Sequence, residues 1–326
     1  MKAVVLVGGE GTRLRPLTLT IPKQMLPVGR RPMIERVLEN LYRHGIDEVV
    51  LSLGYRPDAF LEAYPDGRCA NVNLHYAVEA EPLDTAGAVR FAALEAGIDD
   101  TFVVINGDVL TDLDISELVH FHSERQAGAT IALTPVDDPS AFGVVSTDES
   151  GRVTAFIEKP APDEAPTNLI NAGTYVLDPS VLQRIPGGRR VSIERETFPA
   201  LVAEGSLYAL ASEADWLDVG TPAAYLQANL GYVADPDESC RLGEGAVVKE
   251  SVIGSRVSLG PGSLVENSVL LNCASVGEGA EVFRSIIGPD ANIGSRSVVA
   301  SLSVIGEGFH VEPGARLTGQ RLPVSS

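Results

Sequence analysis

Short apolar runs alternate with amphipathic stretches through the first 233 residues of the chain. The runs rich in Val, Ile and Leu predict β-strands over 2–7, 47–53, 72–78, 101–105, 129–136, 143–147, 152–158, 169–177 and 206–211. Apolar positions at helical spacing predict helices over 32–44, 57–63, 85–96, 114–127, 192–204 and 221–233. The early strand–helix–strand alternation implies parallel βαβ units in a doubly wound sheet. The strand-dense middle, 129–177, predicts that this sheet is mixed.

The pattern changes at Asp235-Pro236-Asp237. Apolar residues now recur at every sixth position: Val247, Ile253, Leu259, Val265 and Leu271, then Ile287, Ile293, Val299, Ile305, Val311 and Leu317. Val276 and Val282 join the two series through five-residue slips. Glycine directly follows the inward position at 254, 260, 277, 288, 294 and 306. A period of six fits neither an α-helix nor a simple alternating strand. It fits a parallel β-helix in which each hexapeptide face supplies one inward apolar residue, with about 13 hexads wound into roughly four coils. The chain is therefore expected to divide into 1–234 and 235–326.

Composition narrows the function. The formal charge is −19, with only four lysines against 21 arginines. This balance argues against a general nucleic-acid binder or a basic membrane-surface protein. The run Ala3–Val7 is too short for a signal peptide or a membrane span. The three cysteines lack metal-ligand spacing and suit a reducing compartment. A soluble, cytoplasmic protein is expected.

Against this acidic background the first strand runs into a glycine-rich, cationic segment, Gly8-Gly9-Glu10-Gly11-Thr12-Arg13-Leu14-Arg15-Pro16, followed by Pro22-Lys23-Gln24. A loop after a first parallel strand lies at the carboxyl edge of the sheet, where α/β proteins bind ligands. Glycines there permit tight turns and leave N–H groups for phosphate oxygens. It is neither a P-loop nor a dinucleotide fingerprint, since no G-K-[ST] follows and Leu14 occupies the third glycine position. Further along, Asn106-Gly107-Asp108 closes a strand, and Asp218 sits in Trp216-Leu217-Asp218-Val219-Gly220-Thr221-Pro222. Taken alone, Asp108 reads first as an N-cap or turn former, and Glu158-Lys159 as a surface ion pair.

Taken together, G-G-E-G-T-R-L-R-P-L-T with P-K and L-P-V resembles the signature of the sugar-1-phosphate nucleotidyltransferases, and among them the mannose-1-phosphate guanylyltransferases. The resemblance covers nearly the whole chain. It implies an α/β, Rossmann-like mixed-sheet nucleotidyltransferase domain followed by a C-terminal left-handed parallel β-helix of hexapeptide repeats. It implies an enzyme that joins a nucleoside triphosphate to a sugar 1-phosphate with release of pyrophosphate, using Mg²⁺, and a homo-oligomer. By resemblance, Gly8, Gly9, Gly11 and Thr12 hold the triphosphate, and Arg13 and Lys23 neutralise charge at the reacting phosphates. Glu79 and Gly87 belong to the base-recognition segment. Gly143, Glu158, Lys159 and Asn171 bind the sugar phosphate, and Asp108 and Asp218 hold the metal.

Two residues depart from the family pattern. Gln24 stands where guanylyltransferases usually have proline and some thymidylyltransferases have glutamine. Asp84 replaces a usual glycine; it serves as an N-cap for the helix over 85–96 or crowds a nucleotide. A carboxylate at Glu79 suits the two donors on the guanine edge, provided it faces the base rather than solvent. Glucose 1-phosphate with UTP, dTTP or ATP is the alternative substrate pair. A non-catalytic subunit of the same fold would be expected to lose Arg13, Lys23, Asp108 or Asp218, and all four are present. Hexapeptide acyltransferase chemistry commonly needs a histidine, and the repeat region offers only His310.

Overall fold

A computed structural model describes residues 1–161 and 163–324. By contact the chain forms two compact units. The first comprises Met1–Gly9 and Ile34–Trp216; the second comprises Glu10–Met33 and the chain from Leu217 onward.

The first unit is built on a ten-stranded mixed sheet. Its strands are β1 (Lys2–Leu6), β2 (Glu48–Leu53), β3 (Arg68–Cys69), β4 (Val72–Val78), β5 (Phe102–Asn106), β6 (Ala129–Pro135), β7 (Gly143–Thr147), β8 (Val153–Glu158), β9 (Leu169–Leu177) and β10 (Leu207–Ala211). They lie in the order β8-β7-β9-β5-β1-β2-β4-β3, with β6 pairing to β9 and β10. The β5-β1-β2-β4 centre is parallel, while β9 runs antiparallel to β5, β6 and β7. Alternation of buried and exposed positions is absent from the middle of β1, where Ala3, Val4 and Val5 are all buried. A central parallel strand is covered on both faces, so its sequence reads as a continuous apolar run.

Helices α1 (Met33–Arg43), α2 (Asp58–Ala63), α3 (Asp84–Glu95), α4 (Ile115–Arg125) and α5 (Phe198–Ala203) accompany the sheet. The core includes Val4, Val104, Ile131, Tyr175 and Phe198, all fully buried. Full burial of a large apolar side chain of this kind contributes about 1.5–3 kcal/mol. One predicted helix differs. The stretch 192–204 begins with a π-turn, Ile193–Thr197, before α5. Ser192 Oγ accepts from Arg195 N–H at 3.3 Å, capping that turn, and Pro199 enters α5 in its first turn, where no N–H is needed.

The second unit contains α6 (Pro222–Leu230) and the β-helix. Three five-stranded parallel sheets form the prism faces, so there are five coils instead of the roughly four expected from the repeat. By register the inward rows are Leu259, Val276, Ile293, Val311, headed by Leu242 at the exposed end of the prism; Val248, Val265, Val282, Val299, Leu317; and Ile253, Leu270, Ile287, Ile305, Leu322. The expected inward residues Val247 and Leu271 are therefore each displaced by one position. Val247 is 40% exposed, and Val248 and Leu270 turn inward. One face of the early coils is five residues long, and a one-residue offset reverses which side of a strand faces the core. Corners repeat at the coil interval: Ser268 N–H donates to Ser251 Oγ at 3.0 Å and Ser285 N–H to Ser268 Oγ at 3.1 Å, each 17 residues apart. This ladder satisfies buried hydroxyls that would otherwise cost stability.

Candidate active site

In the first unit the chemistry gathers at the carboxyl ends of the parallel strands. Gly8 and Gly9 follow β1, Glu79 follows β4, and Asn106-Gly107-Asp108 closes β5. Gly107 has a steric cause. A Cβ there would lie 2.6 Å from Val7 Cγ1 and 2.9 Å from Leu6 O, so only glycine lets this turn sit against β1 and present Asp108 at the edge. Gly8 is exposed, and its Cα lies against Gly54, the residue that follows β2.

Glu79 does not point idly to solvent. Its Oε1 accepts from Ser52 Oγ at 3.1 Å and its Oε2 accepts from Leu83 N–H at 2.9 Å. The carboxylate thus braces the turn that leads into α3, and each oxygen keeps a second lone pair. Asp84 is not the expected N-cap. It is the first residue of α3, with φ +63°, and its Oδ1 accepts from the adjacent Thr85 N–H at 2.9 Å. A left-handed backbone explains why a glycine fits this position, and aspartate is among the few other residues that tolerate it. The first amides of α3 are taken by the chain itself: Ala86 and Gly87 N–H both donate to Val191 O, at 2.9 and 3.2 Å. A Cβ on Gly87 would meet Leu83 Cβ at 2.9 Å, so glycine there permits close packing of this junction.

A second group lies on β7, β8 and β9. A Cβ on Gly143 would stand 2.7 Å from the Phe156 ring and 3.1 Å from Glu158 Oε2, so this glycine opens the space that the Glu158 carboxylate occupies. Lys159, at φ +52°, places Nζ 3.6 Å from Glu158 Oε1 and is mostly exposed. Burial raises the Glu158 carboxyl above the ordinary range; the nearby Glu194 pushes it the same way, and Lys159 opposes both. Asn171 is held at both ends: Nδ2 donates to Tyr175 Oη at 3.0 Å, and Oδ1 accepts from Gly173 N–H at 2.9 Å. Tyr175 is fully buried, which holds its phenol well above the normal range and so neutral.

Glu194 escaped notice in the sequence. Its Oε2 accepts from Thr85 Oγ1 at 2.8 Å and Ser192 Oγ at 2.7 Å, while Thr85 Oγ1 accepts from Ile193 N–H at 2.8 Å. This knot ties the start of α3 to the segment beside Glu158. Alternating Ser and Glu within an otherwise helical pattern was its only sequence trace.

The second unit holds the rest. Gly11 turns at φ +63°, and a Cβ on it would lie 3.0 Å from Thr18 Cγ2 and 3.2 Å from Lys23 Cβ. Gly11 O accepts from Thr18 Oγ1 at 2.8 Å and from Leu14 N–H at 2.9 Å. The segment thereby folds back so that Gly11, Thr12 and Lys23 are neighbours. Arg13 Nη2 lies 3.9 Å from Asp218 Oδ2. A Cβ on Gly220 would collide with the Arg13 guanidinium and stand 2.9 Å from Asp218 Oδ1. Gly220 is therefore what lets cation and carboxylate share one cradle. Gln24 is 1% exposed, so its difference from proline acts on packing beneath the loop.

The donor set also bears on a metal. Asp108 and Asp218 offer hard carboxylate oxygens, and among the described residues no group of three or more His, Cys, Asp and Glu is placed to hold a metal by itself. Carboxylate oxygens are the donor type that hard divalent cations such as Mg²⁺ take, one or two at a time beside phosphates and water. No described helix is long and apolar enough to cross a membrane.

Comparison with known proteins agrees with this chemistry. Residues 2–234 match the nucleotidyl transferase family, and residues 234–323 match a model described as the GMPPB C-terminal domain. A mannose-1-phosphate guanylyltransferase of Mycobacterium tuberculosis is 44% identical over 233 residues, 71% of this chain and 64% of the relative. A mannose-1-phosphate guanyltransferase of Aspergillus oryzae is 44% identical over 237 residues, 72% of this chain and 64% of the relative. The matched part thus spans somewhat under two thirds of these relatives. HddC from Yersinia pseudotuberculosis, solved in complex with GMP-PN, superposes with TM-score 0.61 at 29% identity, covering 71% of this chain and 99% of HddC. A putative glucose-1-phosphate thymidylyltransferase from Bacillus anthracis gives TM-score 0.65 at 27% identity, covering 73% of this chain and 98% of that one. The matched family model, the mixed sheet and the chemistry at its carboxyl edge together establish that this chain belongs to the nucleotidyl transferase family.

Proposed function

We propose that this chain is an enzyme that makes GDP-mannose and pyrophosphate from GTP and mannose 1-phosphate. The observation that carries the reading is the Arg13–Asp218 pair made possible by Gly220, within the segments that match the family's signature. A phosphate oxygen of the sugar 1-phosphate attacks the α-phosphorus of GTP. The bond from that phosphorus to the bridging oxygen breaks, and pyrophosphate leaves with the electron pair. Such a transfer asks the protein for alignment and charge stabilisation, with no covalent intermediate.

Each group of residues then has a role. Gly8, Gly9, Gly11 and Thr12 give backbone and hydroxyl donors to the triphosphate, and Arg13 and Lys23 stabilise charge on the reacting phosphates. Glu79, already oriented by Ser52 and Leu83, accepts from the guanine edge, and Gly87 keeps the base segment close-packed. Gly143, Glu158 and Asn171 meet the sugar hydroxyls, and Lys159 holds the sugar phosphate. Asp108 and Asp218 would hold Mg²⁺, which supplies charge neutralisation at the phosphates when bound. Residues 1–234 carry the chemistry, and the repeats over 235–326 support it. The relatives' names favour mannose and guanine over glucose and thymine. We place the enzyme in the cytoplasm as a homo-oligomer.

Phosphorus NMR tests the reading directly. GTP, mannose 1-phosphate and Mg²⁺ with the chain should yield equal amounts of free pyrophosphate and a new diphosphate diester. Absence of both would favour a non-catalytic subunit of the same fold.

A further inference from the structure

The segment Glu10–Met33 carries Arg13 and Lys23, yet its secondary structure consists of three short 3-10 turns, Thr12–Leu14, Leu17–Leu19 and Lys23–Met25, and the two-residue strands Pro27–Val28 and Arg31–Pro32. A loop this long inside a compact body holds its shape only if something outside it supplies a wall. Its later half is held by α6. Tyr225 Oη donates to Pro27 O at 2.5 Å, and Asn229 Oδ1 accepts from Gly29 N–H at 2.9 Å. Its earlier half, which includes Arg13, is held by the far end of the β-helix. Arg321 Nη1 donates to Arg13 O at 2.9 Å. Thr20 Oγ1 donates to Glu307 Oε2. A Cβ on Gly306 would lie 3.0 Å from Pro16 Cβ, so the coil backbone abuts the proline ring.

We infer that the final turns of the β-helix are a positioning element for the phosphate-binding loop, and that Arg321 sets Arg13 by gripping its carbonyl. The inference rests on the functional reading above, because it presumes that Arg13 meets the triphosphate. Three features converge on it. The grip falls on the backbone of the one residue whose guanidinium shares the Gly220 cradle with Asp218. The donor is a guanidinium, which stays charged at any physiological pH and makes a directional bond to a carbonyl. The abutting coil residue is a glycine, so the loop comes closer than any side chain would allow. The two side-chain hydrogen bonds, from Arg321 and Thr20, are exposed and weak by themselves, while Gly306 and Pro16 meet in a buried contact. Geometry gives them leverage, since a displacement of about 1 Å at a charge-stabilising group can cost on the order of 100-fold in rate. The hexapeptide repeats are thus more than a spacer: their terminal coil is part of what shapes the nucleotide side of the site. Arg321 is a positioning residue, since it acts through Arg13.

The test uses the full-length chain with Arg321→Ala and Arg321→Lys. Amide exchange at Leu14, Arg15 and Leu19, whose N–H groups close the loop's internal turns, should rise about tenfold in the alanine variant. Exchange at Val265 and Val282, deep in the prism, should not move. The KM for GTP should rise about 5- to 20-fold while the KM for mannose 1-phosphate stays within twofold. Lysine should restore part of both, because it supplies a donor without the fork. Unchanged exchange in the loop overturns the inference. So does faster exchange with an unchanged KM for GTP, since the grip would then hold the loop without setting Arg13. If the unmodified chain turns over no substrate pair, the functional reading fails, and the exchange result alone decides whether the coil holds the loop.

Discussion

Arg13 Nη2 and Asp218 Oδ2 stand 3.9 Å apart, and Gly220 is the reason they can. A methyl group on Gly220 would occupy the volume of the guanidinium. Gly220→Ala should therefore displace Arg13 and lower kcat/KM by about 10- to 100-fold, without removing any charged group. The melting temperature should change by no more than a few degrees, because the group that must give way first is the exposed, flexible end of Arg13. Steady-state kinetics beside a thermal melt checks this; near-normal turnover would place Arg13 outside the chemistry.

Glu158 links stability to pH. Its carboxyl is raised, first by burial and then by Glu194. A raised carboxyl favours the folded state while protonated and opposes it once ionised, so this contribution fades as pH rises through the folded pKa. Glu158→Gln removes that opposition. The variant should melt higher than the parent at pH 8 and lose this advantage at pH 4. It should also use mannose 1-phosphate about 10- to 100-fold less well, because an amide replaces a charge-assisted acceptor. A melting difference that does not change with pH would show that Glu158 is not the group responsible.

The base segment separates two properties in two variants. Glu79→Gln should lower kcat/KM for GTP relative to dTTP by about 10- to 150-fold, the cost of one charge-assisted hydrogen-bond pair. Equal losses for both nucleotides would confine Glu79 to bracing Ser52 and Leu83. Asp84→Gly should leave turnover intact and not destabilise the fold, because glycine adopts the φ of +63° without strain. A melting temperature several degrees lower would mean that the Asp84 carboxylate does more than accept from Thr85.

The prism offers a matched pair. Ile293 is fully buried, whereas Val247 is 40% exposed. Ile293→Asp should abolish the cooperative melt of the repeats, since an unpaired charge would enter a narrow apolar core. Val247→Asp should stay within about 0.5 kcal/mol of the parent. Circular dichroism melts of both decide it, and comparable damage from both would restore Val247 to the inward row.

Much of this was legible in the chain. Nine of the ten strands of the mixed sheet fall within a residue or two of their apolar runs, because burial on both faces leaves an unbroken signature at β1, β2 and β5, while the two-residue edge strand β3 has no such run. The period-six rows were legible because each face buries one inward apolar residue, yet the offset at Val247 was not. A strict period of six selects Val247, and only the stacking of coils reveals that this face is five residues long and turns Val248 inward. The left-handed backbone of Asp84 was hidden because an N-cap explains an aspartate before a helix just as well. The Glu194 knot and the Arg321–Arg13 bond depend on residues far apart in sequence, so no local pattern names either partner. The family resemblance proposed the residues that would face substrates; the contacts that hold those residues in place came only with the fold.

The measurement that bears most directly on the central claim is pyrophosphate release by the full-length chain across GTP, ATP, UTP and dTTP, each with mannose 1-phosphate and glucose 1-phosphate in Mg²⁺. GTP with mannose 1-phosphate should have the highest kcat/KM, by at least about tenfold over every other pair, the margin that one well-formed polar contact provides. A preference for dTTP or UTP with glucose 1-phosphate would contradict it.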